Sequence, residues 1–190
     1  EAKKSGLKFT CEVTPTHLFF TKDMVEKYGT LLKVNPPVRT EEDRVALIEG
    51  LKDGTIDMIA TDHAPHTAGD KKLGEFKSKS GLISIETAFS VAMEKIYHKN
   101  IMSMREIIRC LSTNPRALFG INSPIAPGER ADLVVLDKDA EYIYDHSYSK
   151  SKNTPLFGRK MIGKVLMTIK DGKVLYNDLK EGTSEDRFNC

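Results

Sequence analysis

The 190-residue sequence has no tryptophan and only three cysteines, and each scarcity excludes something. Cys11, Cys110 and Cys190 are odd in number, far apart and without Cys-x-x-Cys spacing, so neither a disulfide framework nor a zinc knuckle is expected and the thiols read as reduced. No run approaches the roughly 18 apolar residues of a membrane helix, and residues 1–10 lack the basic-then-apolar order of a secretion signal, so a cytoplasmic setting is the expectation. Charge of either sign is not in excess. Twenty-nine basic against 27 acidic residues leave a formal +2, which gives no reason to expect capture of nucleic acid or of a membrane surface. Internal repeats and low-complexity tracts are also missing. What is there is an apolar share of 39%, enough for the core of one domain or one and a half.

Taken in order, residues 1–5 read as the tail of a helix with Gly6 at its C′ position, so the chain is expected to start mid-structure. Residues 8–14 alternate well enough for a strand that Pro15 ends. Residues 22–28 suit a short helix closed by Gly29, and Lys33-Val34-Asn35-Pro36-Pro37 is extended because a proline pushes its predecessor out of the helical region. Thr40 is a good N-cap, followed by Glu41, Glu42 and Asp43 at the positive end of a helix whose apolar face is Val45, Leu47, Ile48 and Leu51, with Gly54 as its stop. Residues 83–98 regain helical spacing, Ser103 with Glu106 makes a capping box before buried Ile107, Ile108 and Leu111, and Asn114 with Pro115 opens a third short helix. Residues 131–136 form a strand, and 164–170 pairs with 173–176 across Asp171-Gly172, a type I′ hairpin signal.

The chemistry concentrates in Ile56-Asp57-Met58-Ile59-Ala60-Thr61-Asp62-His63-Ala64-Pro65-His66. A short apolar run reads as a buried strand, and it ends in one carboxylate and two imidazoles, at the end where α/β folds collect catalytic groups. An aspartate in that place is also a common N-cap or turn residue, and His63 is expected to support its neighbours. Glu12 points either into a barrel mouth or into a structural hydrogen bond. The polar segment from His66 to Ser80 is long for a connection and is expected to be an active-site lid. Its lysines Lys71, Lys72, Lys77 and Lys79 form a solvated face or steer an anionic substrate.

Several motifs carry a family resemblance. Cys11-Glu12-Val13-Thr14-Pro15-Thr16-His17-Leu18, Asn35-Pro36-Pro37-Val38-Arg39, Asp53-Gly54-Thr55-Ile56-Asp57, Thr61-Asp62-His63-Ala64-Pro65-His66, Glu86-Thr87, Asn114-Pro115-Arg116-Ala117 and Ser149-Lys150-Ser151-Lys152-Asn153-Thr154-Pro155 resemble the dihydroorotases of the amidohydrolase superfamily. The agreement runs in order from residue 8 to about residue 177. Hydantoinases and allantoinases share the Pro-Pro-x-Arg and Asp-His elements, but the Asp-His-Ala-Pro-His form favours dihydroorotase. Thr16 stands where the family often has a second histidine.

The resemblance implies an α/β fold: the C-terminal part of a (β/α)8 TIM-type barrel, with its seventh and eighth strands in residues 1–122, a share of a small β-sandwich in residues 123–180, and a tail at 181–190. It implies a zinc-dependent cyclic amide hydrolase interconverting L-dihydroorotate and N-carbamoyl-L-aspartate in pyrimidine biosynthesis, with a binuclear zinc centre of which this chain supplies only Asp62. Asp62 would also be the catalytic base and acid, and Asn35, His66 and Gly81 would contact substrate. The expected partners are that small-molecule substrate, the missing N-terminal half of the barrel, and a second copy in a homodimer or aspartate transcarbamoylase. The alternatives are a non-catalytic scaffold for aspartate transcarbamoylase and a hydantoinase-type relative.

Overall fold

The computed structural model describes residues 2–3, 5–121 and 124–179. Cys190, the tail at 181–190 and the expected boundary at 122/123 lie outside the described residues.

Two short parallel strands sit at the centre of the first part: β1 (Glu12–Val13) and β2 (Met58–Ile59), with Glu12 opposite Met58 and Val13 opposite Ile59. They are shorter than the apolar runs that encode them. Pairing nevertheless reaches further, because Asp57 N–H donates to Cys11 O at 2.9 Å and Ala60 N–H to Val13 O at 3.0 Å. After β1 comes α1 (Pro15–Phe19), capped by Thr14, whose hydroxyl accepts from His17 N–H. Between the strands runs α2 (Glu41–Asp53). Thr40 and Asp43 form a reciprocal capping box at its start, and Gly54 ends it in the left-handed region at φ 81°. Ile48 and Leu51 are buried as the spacing requires, but Val45 is 46% exposed. The buried face is instead completed by Gly50, which lets Ile56 pack against the helix backbone.

The expected helix over 83–98 is a run we label α3, made of a 3-10 turn (Ile85–Thr87), an α turn (Ala88–Ala92) and a π turn (Met93–Tyr97). The next two expected helices are one run, α4, formed by Met104–Ile108, a π turn Arg109–Thr113, and Asn114–Leu118. Asn114 therefore does not cap a new helix; its amide donates to Asp57 O at 2.6 Å and ties α4 to the start of β2. The π turn explains how Pro115 sits inside a helical run, since a wider turn relieves the contact with preceding carbonyls. Ile107 is fully buried, while Ile108 and Leu111 are only partly so.

The C-terminal part is a three-stranded antiparallel sheet in the order β3 (Leu133–Ile143), β4 (Lys160–Lys170), β5 (Lys173–Asn177). Asp171 and Gly172 both have positive φ, 50° and 75°, as a type I′ turn demands. The sheet is seated on α3. Gly163 has φ 86°, and a Cβ there would lie 2.3 Å from Met93 Cγ, so only glycine permits this approach. Ser90 seals the junction by donating to Gly163 O at 2.6 Å and pairing with the Tyr142 hydroxyl at 2.8 Å. Tyr144, Leu156 and Met161 consequently share one buried cluster with Leu18, Val91 and Ile107. Val134, Val135, Val174 and Leu175 on the sheet stay exposed. Among the described residues, no helix is long and apolar enough to cross a membrane.

Candidate active site

The carboxyl ends of β1 and β2 open on the same side, as parallel neighbours must, and the polar residues that follow them gather there. Asp62 is three residues past β2, exposed, and at φ 46°. A left-handed aspartate is uncommon and signals a backbone held by its surroundings. The surroundings are identifiable. His63 Nδ1 accepts from the backbone N–H groups of Ser84 and Ile85 at 3.1 and 3.2 Å, and the Ser84 hydroxyl donates to Thr61 O at 2.5 Å. His63 therefore caps the start of α3, the supporting role its position suggested, and Asp62 is pinned between two anchored neighbours.

His66 is held at both ends. Its Nε2–H donates to Ser80 O at 2.8 Å, and its main-chain N–H donates to Asn153 Oδ1 at 3.1 Å. Gly81 lies against it; a Cβ at Gly81 would meet Ala64 Cβ at 2.5 Å and His66 Nε2 at 3.4 Å, and the φ of 112° also calls for glycine. Both backbone groups of Gly81, expected at the substrate, are bonded within the protein. Its N–H donates to Lys33 O at 2.9 Å, and its carbonyl accepts from Lys71 Nζ and Asn153 Nδ2 at 2.9 and 3.2 Å, so both groups are spent within the protein.

Asn35 is exposed and two residues beyond Lys33, with a cis peptide to Pro36. The Pro36 carbonyl accepts from His17 Nε2 at 2.9 Å, and His17 Nδ1 accepts from the Thr14 hydroxyl at 2.7 Å. His17 thus links the end of β1 to the Asn35 turn. Glu12 is exposed on β1. The segments around residues 33–35, 62–66 and 80–82 are interlocked by Gly81 N–H on Lys33 O and Ala64 N–H on Leu82 O at 3.0 Å.

The lid between His66 and Ser80 contains two helical turns, Ala68–Lys71 and Gly74–Lys77, the first opened by a Thr67/Asp70 capping box. Lys71 is no part of a solvated face. It is 3% exposed, and its ammonium donates to Lys33 O, Lys79 O and Gly81 O at 3.4, 2.9 and 2.9 Å. Lys33 Nζ latches the other end, donating to the carbonyls of Glu75, Phe76 and Ser78. Beside His66 a cleft of about 940 Å³ opens between Tyr28, Thr67 and Asn153, with Lys27, Lys72, Lys150 and Lys152 around it.

Burial, with the Lys33 ammonium nearby, pulls the Lys71 pKa from 10.5 down to about 8. In an opened lid Lys71 regains its ordinary value, so between about pH 8 and 10.5 the open form binds the extra proton and closure strengthens as pH rises. Amide hydrogen exchange across residues 68–79, corrected for its intrinsic rate, should slow by up to about tenfold per pH unit through that window. In Lys71→Met the dependence should vanish; a wild-type lid that loosens on raising pH would contradict the assignment.

Among the described residues no group of three or more His, Cys, Asp or Glu side chains is placed to hold a metal ion. Zinc takes four ligands, three of them protein groups even in open catalytic sites. Asp62 has the chemistry of a single metal ligand, and the described residues alone do not compose a metal centre.

Comparison with known proteins shows the family and the fold. Residues 8–175 match the amidohydrolase family. The dihydroorotase of Aquifex aeolicus is 45% identical over 179 residues, covering 93% of this chain and 42% of that protein. The dihydroorotase of Thermoanaerobacter sp. is 46% identical over 178 residues, again 93% of this chain and 41% of the relative. The chain therefore spans about two fifths of the length of the curated relatives it matches. Among solved structures, the L-hydantoinase (dihydropyrimidinase) of Arthrobacter aurescens superposes with a TM-score of 0.83 at 29% identity, over 93% of this chain and 41% of that one. The dihydropyrimidinase of Brevibacillus agri superposes at 0.86 with 23% identity and the same coverage.

Proposed function

The chain belongs to the amidohydrolase family, and from that premise we propose that it carries one corner of a dihydroorotase site, the corner that moves the proton and grips the substrate's carboxylate. Asp62 carries the reading: an exposed carboxylate past the end of a parallel strand, fixed by its neighbours in a left-handed conformation. The rest of the barrel, including a cover for the exposed valines of the sheet, belongs to polypeptide outside residues 1–190. We take the N-terminal part of this chain to be barrel and the part from about residue 123 to be a share of the sandwich.

Hydrolysis of L-dihydroorotate breaks a ring amide bond. Water adds to the carbonyl carbon, and the departing nitrogen needs a proton. In this reading Asp62 takes that proton from the attacking water and returns it to the nitrogen, serving as base and then as acid. A zinc centre, whose other ligands are not found among the described residues, would supply water activated at neutral pH when bound. His66 Nε2 is committed to Ser80 O, so a substrate carboxylate is held from Nδ1, which donates only in the protonated ring. Asn35 presents an amide from the adjoining turn.

The relatives at 45–46% identity carry the dihydroorotase name, which favours L-dihydroorotate over a neutral hydantoin as the substrate. In the full-length enzyme, His66→Ala should raise KM for L-dihydroorotate by about 10- to 100-fold, the worth of a hydrogen bond to a charged group, with kcat changed only a few-fold. An unchanged KM would remove His66 from the binding set.

A further inference from the structure

We infer that Asn153, a residue of the C-terminal segment that touches none of the reacting atoms, is the positioning residue that sets His66 for substrate binding. The inference rests on the reading of His66 as a substrate contact.

Asn153 is 4% exposed, and its side chain uses every hydrogen-bonding position an amide has. Oδ1 accepts from His66 N–H at 3.1 Å and from the Ser151 hydroxyl at 2.5 Å. Nδ2 donates to Ala64 O at 3.0 Å and Gly81 O at 3.2 Å. Its own carbonyl accepts from Ile83 N–H at 3.3 Å. One side chain thus clamps the turn that carries His66 to the strand-like stretch that carries Gly81, although these lie 72 to 89 positions away in sequence. Ser151 reinforces the clamp, its single hydroxyl proton being shared between Asn153 Oδ1 and His66 O. Both main-chain groups of His66 are therefore fixed from the C-terminal segment, while the bonds that hold the residues beside Asp62 run directly between Thr61, His63, Ser84 and Ile85.

That separation gives the clamp a signature. Loosening it should disturb the grip on the carboxylate without disturbing proton transfer. Only an amide serves at this position. Aspartate would keep the acceptor toward His66 N–H but turn a lone pair on the Ala64 and Gly81 carbonyls, and alanine would leave buried groups unpaired.

The test compares wild type, Asn153→Asp, Asn153→Ala and the milder Ser151→Ala in the full-length enzyme, reading KM, kcat, bound metal and hydrogen exchange at the His66 amide. The expected result is a KM for L-dihydroorotate raised at least tenfold in both Asn153 variants and two- to fivefold in Ser151→Ala. Throughout, kcat should stay within threefold and metal content should not change, and exchange at His66 should be accelerated. Should the Asn153 variants not fold, Ser151→Ala decides. A fall in kcat at unchanged KM, or unchanged exchange at His66, would reduce Asn153 to a packing residue and overturn the inference. Wild type without turnover of L-dihydroorotate would instead overturn the functional reading, and the exchange arm would still decide whether Asn153 sets His66.

Discussion

Asp62→Asn in the full-length enzyme is expected to lower kcat for L-dihydroorotate by at least about 10³, toward the upper end of what a positioned general acid and base contributes. Asparagine preserves size and the turn-forming amide oxygen, and it tolerates the left-handed region in which Asp62 sits at φ 46°. Loss of rate would therefore report lost proton transfer, not lost fold. Circular dichroism and thermal unfolding should match wild type. On the proposed reading the same carboxylate is also a metal ligand, so bound metal should fall as well, and measuring it alongside kcat separates the two roles. A variant within tenfold of wild type would remove Asp62 from the chemistry.

The second large effect concerns the 190-residue chain by itself. Purified alone it should show no turnover of L-dihydroorotate above background and no tight zinc, since a lone carboxylate cannot replace the three or four ligands zinc requires. Exposed Val134, Val135, Val174 and Leu175 add a practical consequence: the isolated chain should self-associate, because uncovered apolar sheet surface seeks a partner. Activity assays, elemental analysis and light scattering check all three. Turnover comparable to the full-length enzyme would refute the division of the site between this chain and the remaining strands.

Local chemistry proved readable where a feature is decided within a few residues. The Thr40/Asp43 and Ser103/Glu106 caps, the Gly54 stop and the Asp171-Gly172 turn are all formed, because hydroxyl, carboxylate and glycine act on backbone groups three or four positions away. The motif around Asp62 falls at a strand end for the same reason: an apolar run followed by polar residues has few places to stop. Features decided by distant partners were not readable. Nothing in Ser151-Lys152-Asn153 reveals that its amide joins Ala64 to Gly81, and a lysine in a basic, glycine-containing loop gives no sign that Lys71 is buried among carbonyls. Val45 fits the helical face by spacing yet stays exposed, because Gly50 draws the contact with Ile56 to its own side of the helix. The merging of two expected helices into α4 depends on a π turn, and π turns leave no pattern in apolar spacing.

The functional reading is most directly tested by the steady-state specificity of the full-length enzyme toward L-dihydroorotate and toward an uncharged hydantoin of similar size. A kcat/KM for L-dihydroorotate at least about a hundredfold higher, the worth of a charge-assisted grip on one carboxylate, is the expected result. Equal or greater specificity for the hydantoin would contradict it.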